Sequence, residues 1–307
     1  MPVVTDTGAD LLLPFQIEAG SVRGRLVRLG PALDAAVGVH DLPVPVGARL
    51  AETVVLGGAL AGALKYDGVF TLQIQAEGAI PLLVADVTSD GDLRAYARFD
   101  DGRLTEARAR DDLAPVPRYF GKGYLAFTVD QGPDTERYQG LVALDGETLS
   151  VCTESYLSQS EQLASAVVTA VAPPGNGRGW RAVALIIQRM PQGPASPILT
   201  AETAEEDWNR AVILMKSVQN SELLDPDLPP ETLLRRLFHA EGLILHEPRA
   251  LQARCRCSEE RVRTTLRSFA KTNLDGMKDE DGVIAVTCEF CKARYIFTDR
   301  DLEPNAP

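Results

Sequence analysis

The chain has 307 residues, 45% of them apolar and 24% charged, a balance that belongs to globular proteins and excludes collagen, low-complexity disorder and coiled coil. Aromatic residues make up only 6%, so the core is expected to be built mainly from Val, Leu, Ile and Ala. The formal net charge of −12 argues against a general polyanion binder.

The first ten residues carry two Asp and no Lys or Arg, which predicts no secretory signal. Val22–Leu29, Val69–Gln75, Leu82–Val87 and Leu93–Phe99 read as strands, with Ser89-Asp90-Gly91-Asp92 as a hairpin turn. Arg49–Leu64 reads as a helix with Leu50, Val54, Ala61 and Leu64 near one face. Gly123–Asp130 and Gln139–Ala143 repeat the strand pattern, Ser158–Val168 fits a second helix, and Arg181–Gln188 a well-buried strand. Apolar runs such as Ala182–Ile187 fall far short of the roughly 20 residues a membrane helix needs, so no membrane partner is expected.

Composition changes after Met190-Pro191, and Gln192–Ser196 reads as a flexible connector. Two amphipathic helices are expected next. The first opens with Thr203 and Glu206 at capping-box spacing and carries Trp208, Val212, Met215 and Val218 on one stripe. The second follows Pro229-Pro230, presents Leu233, Leu234, Leu237 and Phe238, and stops near Gly242. Residues 192–250 hold ten acids against five bases, whereas 251–307 hold ten of each. The fold class expected is α+β: a mixed α/β core domain over 1–191, a helical linker over 192–250, and a small four-cysteine domain over 251–307.

Four of the five cysteines crowd into the last sixth of the chain. Cys255-Arg256-Cys257 and Cys288-Glu289-Phe290-Cys291 form a C-x-C and a C-x-x-C separated by 30 residues. Four thiolates suit a closed tetrahedral zinc site, and the last domain is too small to hold together by burial alone. Ser258 is placed to cap a helix carrying Val262, Leu266 and Phe269, and Val283–Val286 and Tyr295–Phe297 read as short strands. An oxidised cysteine is no longer a thiolate ligand, so oxidation and metal release are one event. A C-x-C disulfide closes a very small ring and is readily reduced, which suits a sensor better than a static scaffold.

Along nearly its full length the chain resembles the redox-regulated 33-kilodalton heat-shock chaperone family (heat-shock protein 33). The resemblance rests on the two cysteine pairs followed by Tyr295 and Phe297, and on core segments in order. These are Val22-Arg23-Gly24-Arg25-Leu26-Val27, Leu64-Lys65-Tyr66-Asp67-Gly68, Leu93-Arg94-Ala95-Tyr96-Ala97-Arg98, Arg137-Tyr138-Gln139-Gly140 and Ser158-Gln159-Ser160-Glu161-Gln162-Leu163. It implies a cytoplasmic holdase of the oxidative-stress response, not an enzyme, that is inactive while reduced with one Zn²⁺ per chain on Cys255, Cys257, Cys288 and Cys291. It further implies that oxidation pairs Cys255 with Cys257 and Cys288 with Cys291, with zinc release, unfolding of the zinc domain and linker, and homodimerisation. Unfolding or oxidatively damaged client proteins are then bound and kept from aggregating. Trp208, Val212, Met215, Leu233, Leu237 and Phe238 are the expected client surface, since the linker helices are too short to persist without docking. Lys292 departs from the family's small residue after the last cysteine, and a nearby cation favours thiolate.

Two other classes compete. A thiol-disulfide oxidoreductase using Cys288 and Cys291 lacks a thioredoxin-like βαβ context ahead of the pair. A zinc-ribbon nucleic-acid module lacks basic charge, so no nucleic-acid partner is expected. The remaining features read as structural. Cys152 is a small core residue, His40, His239 and His246 have no ligand spacing with the cysteines, Gly121-Lys122-Gly123 is a strand-entry turn, and Gly175–Gly179 is a loop. No G-x-S-x-G or H-E-x-x-H motif occurs.

Overall fold

The computed structural model of the chain describes residues 10–18, 22–132, 135–191 and 201–303. The expected connector over Gln192–Ser196 lies outside the described residues. The chain divides into two compact units, Met1–Ala253 and Arg254–Pro307.

The first unit runs β1 (Leu11–Ile17), β2 (Val22–Leu29), α1 (Pro31–Val37), α2 (Val44–Ala61), β3 (Val69–Ala76), β4 (Leu82–Thr88) and β5 (Asp92–Arg98). It continues through α3 (Asp101–Arg108), α4 (Pro115–Tyr119), β6 (Gly123–Asp130), β7 (Tyr138–Ala143), α5 (Leu149–Ser160), β8 (Ser165–Ala172) and β9 (Arg181–Arg189). It ends with α6 (Ala201–Lys216), α7 (Asn220–Leu223), α8 (Pro230–Phe238), β10 (Leu243–Leu245), β11 (Arg249–Ala250) and β12 (Gln252–Ala253). One sheet has the order β10-β1-β2-β9-β8, with β11 also paired to β1, and the other has the order β12-β5-β4-β3-β6-β7. Every pairing is antiparallel except β12 with β5.

Helix α2 packs against strands of both sheets, which explains why it is apolar on nearly every side. It is the one helix among the described residues long and apolar enough to cross a membrane, and 78% of that window is buried inside the fold. The β-residue period of two then sorts the central strands. Along β9, Ala182, Ala184 and Ile186 join the α2 side, while Val183, Leu185 and Ile187 join a second core with Trp208, Met215, Leu233 and Phe238. Burial on both faces is why this strand reads as an unbroken apolar run. Phe15 on β1 stacks on Phe238 of α8 with ring centroids 5.7 Å apart.

Several expected elements shift. The helix placed at Ser158–Val168 is instead α5, capped by Thr148, whose side chain accepts from the Val151 amide at 3.2 Å. It ends at Ser160, Gln162 takes a left-handed φ of 53°, and the β-branched run of Val167, Val168, Thr169 and Val171 forms β8. Helix α2 starts at Val44 rather than at Arg49, because Pro45 belongs in a first turn. Thr203 lies inside α6 rather than at its cap. Val22–Leu29 and Gly123–Asp130 are strands with the expected bounds, and Gly91 supports its hairpin with φ of 91°. Cys152 is buried, and Gly121 turns into β6 with φ of 62°.

The second unit comprises α9 (Glu259–Arg267), α10 (Lys271–Asp275), β13 (Ile284–Thr287), β14 (Arg294–Phe297) and α11 (Asp299–Leu302). Its core is small: Leu266, Ile284, Phe297 and Leu302 are buried, with Val262, Leu274, Val286 and Tyr295 packed around them. Phe269, expected on the apolar face of α9, is 42% exposed just beyond the helix end.

Candidate metal centre

Two local structures carry the cysteines. Cys255 and Cys257 lie in the irregular segment just before α9, whose N-cap Ser258 accepts from the Arg261 amide at 3.2 Å. The Arg261 side chain donates back to the Arg256 carbonyl at 2.8 Å, which holds the C-x-C segment against the first turn of the helix. Cys288 and Cys291 sit on the turn joining β13 to β14. There the Lys292 amide donates to the Cys288 carbonyl at 2.9 Å, and the Cys288 amide donates to the Ala293 carbonyl at 2.8 Å. Closing that turn forces Lys292 into the left-handed region at φ of 59°, where glycine has no Cβ to clash.

These elements bring all four sulfurs within 4.8 Å of one another. Cys255 Sγ is 3.7 Å from Cys288 Sγ, and Cys257 Sγ is 3.4 Å from Cys291 Sγ. A tetrahedral ion with zinc–sulfur bonds of about 2.3 Å separates its sulfurs by about 3.8 Å, so donor number, type and spacing fit zinc. All four cysteines are half-buried.

The thiols also shape one another's ionisation. Burial pushes the Cys255 thiol up, but hydrogen bonds from the Cys257 amide and from the other three thiols outweigh it and bring Cys255 down to about 7. Burial raises Cys257 and lifts Cys291 to about 12, since a proton retained there can be donated to a neighbouring sulfur. Without a cation the cluster therefore favours the thiolate at Cys255 and the thiol at Cys257 and Cys291. A divalent cation at its centre reverses that balance for all four.

One partner of the sulfurs is absent from the cysteine pattern. The Tyr295 hydroxyl lies 3.1 Å from Cys257 Sγ, and this hydrogen bond pushes the phenol up to about 12. As a β-residue facing the neighbouring strand, Tyr295 reads in sequence only as strand and core; the one signal for it is its position four residues after Cys291.

The expected client residues occupy a different place. Trp208, Met215, Leu233 and Phe238 are buried, and Val212 and Leu237 are packed against the same core on the outer face of the β1-β2-β9 sheet. In this structure α6 and α8 thus cover that sheet rather than present a free apolar surface. Two arginines secure the connection: the buried Arg28 of β2 donates to the Leu228 carbonyl at 2.6 Å, and the half-buried Arg181 of β9 to the Leu224 carbonyl at 3.1 Å. Both reach main-chain oxygens around the α7–α8 junction, and neither belongs to a recognisable motif.

Comparison with known proteins is consistent along the whole chain. The family model for the Hsp33 protein matches residues 10–298. The 33 kDa chaperonin of Caulobacter vibrioides is 38% identical over 297 residues, covering 95% of this chain and 97% of the relative. The 33 kDa chaperonin of Azotobacter vinelandii is 34% identical over 294 residues, covering 95% and 93%. The crystal structure of the 33 kDa chaperonin (heat shock protein 33 homolog) from Thermotoga maritima superposes with a TM-score of 0.78 at 21% identity, covering 95% of this chain and 96% of that one. The chain belongs to the Hsp33 family.

Proposed function

We propose that this member of a chaperone family is a redox-regulated holdase whose client surface is closed while its four cysteines are reduced. The observation that carries the reading is the convergence of Cys255, Cys257, Cys288 and Cys291 within 4.8 Å, in a unit with only four buried apolar side chains among its described residues. Those four residues hold one zinc ion, which when bound supplies a cross-link between the C-x-C segment and the β13–β14 turn. A unit this small depends on that cross-link for its fold.

Oxidation by a peroxide joins Cys255 to Cys257 and Cys288 to Cys291. Forming each S–S bond gives two electrons and two thiol protons from a pair of cysteines to one peroxide, whose O–O bond breaks to yield two waters. No thiolate donor then remains for the metal. Cys255 follows β12 by two residues, so the loss of order begins next to the strand pairs that return the helical segment to both sheets. Release of β10, β11 and α8 uncovers the sheet face under Trp208, Met215, Leu233 and Phe238, and contributes the apolar stripes of α6 and α8 themselves. Unfolding polypeptides bind there, and two oxidised chains pair through the same exposed surface. No turnover is involved, and the place of action is the cytoplasm.

The oxidoreductase alternative fits the site less well. The C-x-x-C lies on a hairpin turn, without the helix N-terminus that lowers an attacking thiol. The test is disulfide mapping by differential alkylation and mass spectrometry, combined with sedimentation velocity before and after peroxide. The proposal predicts the two intrapair disulfides and a dimer only in the oxidised sample. Disulfides bridging the pairs, or a monomer throughout, would contradict it.

A further inference from the structure

The face of the β1-β2-β9 sheet opposite the helical segment holds a feature that the redox chemistry does not use. Arg25 of β2 is only 8% exposed, yet it points among apolar side chains of the main core. Its Nη2 donates to the Gln188 side-chain oxygen, and its Nε has no hydrogen-bond partner. Among the described residues no carboxylate pairs with it. Burial, with Arg23 as a like-charged neighbour, lowers the guanidinium to about 10, so it remains a cation at neutral pH. An isolated buried cation is costly, and such groups are normally paired.

The residue lines a cavity of about 300 Å³ between β2, the end of α2, β6 and α5. One wall is aromatic and aliphatic: Phe70, Phe127, Tyr156 and Leu157, with Phe127 and Tyr156 stacked at 3.6 Å between centroids. The charged lining is one-sided. Arg23, Arg25 and Lys65 face a single carboxylate, Glu161, and that carboxylate accepts hydrogen bonds from the Tyr138 and Tyr156 hydroxyls at 3.4 Å. An apolar pocket with a few convergent polar groups of one sign is the usual form of a small-molecule site.

We propose that this cavity binds an apolar carboxylate, a small organic acid with an aryl or acyl body, whose head group pairs with Arg25 and whose body lies on Phe127 and Tyr156. The charge selects the anion and the walls select the apolar body. The site belongs to the sheet core and stands independently of the metal centre.

Calorimetric titration of the reduced, zinc-loaded full chain with 2-naphthoate and with octanoate tests this, with the neutral 2-naphthylmethanol as control. Saturable binding of at least one of the two acids is expected, with a rise in Tm and amide shifts confined to residues 22–26, 60–70, 123–129, 137–139, 156–163 and 187–190. The neutral alcohol and Arg25→Met should each bind at least tenfold more weakly; Met keeps the apolar stem, and removing an unpaired buried charge should leave the fold intact. Should Arg25→Met fail to fold, Leu163→Trp, which fills the mouth of the cavity, is read in its place and should also weaken binding at least tenfold. Saturation by neither acid, a loss of less than tenfold in the control or variant, or amide shifts elsewhere would overturn the proposal.

Discussion

Replacing Phe238 by Ala isolates the contact that keeps the helical segment docked. Phe238 is fully buried and stacks on Phe15 at 5.7 Å, so the change removes a large core side chain and one aromatic pair. Large-to-small substitution of a buried Phe costs about 3–5 kcal/mol, part of which is the stacking worth about 0.5–1.5 kcal/mol. The loss falls on α8 and its seat on β1, not on α2 and the inter-sheet core. Local opening of α8 should therefore rise by about two to nearly four orders of magnitude while the rest of the first unit stays folded. Hydrogen exchange read by mass spectrometry should show protection lost over about residues 201–245 and kept in α2 and β9. The reduced, zinc-loaded variant should then suppress aggregation of thermally unfolding citrate synthase, which the proposed switch forbids to the reduced parent. Two results would count against this coupling: unchanged exchange in α8, or exchange raised as predicted with no gain of holdase activity.

Three further outcomes follow from the metal centre. Tyr295→Phe removes the hydroxyl 3.1 Å from Cys257 Sγ and should weaken zinc binding roughly tenfold in a chelator competition, the usual effect of losing an outer hydrogen bond; an unchanged affinity would show that this contact does not act on the sulfur. Lys292→Gly relieves the left-handed φ of 59° and should stabilise the reduced turn by about 1 kcal/mol, seen as roughly fivefold tighter zinc binding. Lowering the pH should weaken zinc binding. Cys255 is depressed from its ordinary value to about 7, so its thiolate is present above that pH and is lost as pH falls through it, with the higher thiols already competing for protons.

What is legible in the sequence varies with the physics of each segment. The cysteine cluster is legible because two close pairs of one residue type have few structural uses, and the observed sulfur positions depend on little beyond two short turns. Strands with a solvent-facing side, such as β3 to β5, show their alternation. β8 is hidden because its Ala and Val residues are apolar at every helical and strand period alike, so only the left-handed Gln162 and the β-branched run distinguish it from a continuing helix. β10, β11 and β12 are two or three residues long, too short for any period, and exist because β1 and β5 offer free edges. Tyr295 and Arg25 stand in segments that carry the family resemblance, but their contacts are hidden in the sequence for a common reason: each acts through a partner brought near only by the folded sheet. The stripes of α6 and α8 are visible as amphipathic helices, whereas the face they cover becomes apparent only once β1 and β2 are placed.

Zinc content and holdase activity followed together in one peroxide titration bear on the redox switch itself. A chromogenic chelator reads the metal while light scattering of citrate synthase reads the chaperone. About one zinc per chain should be released, with suppression of aggregation appearing in step with release and reversing on thiol reduction with zinc resupplied. Zinc that stays bound while activity rises, or equal activity in the reduced and oxidised chain, would contradict the switch.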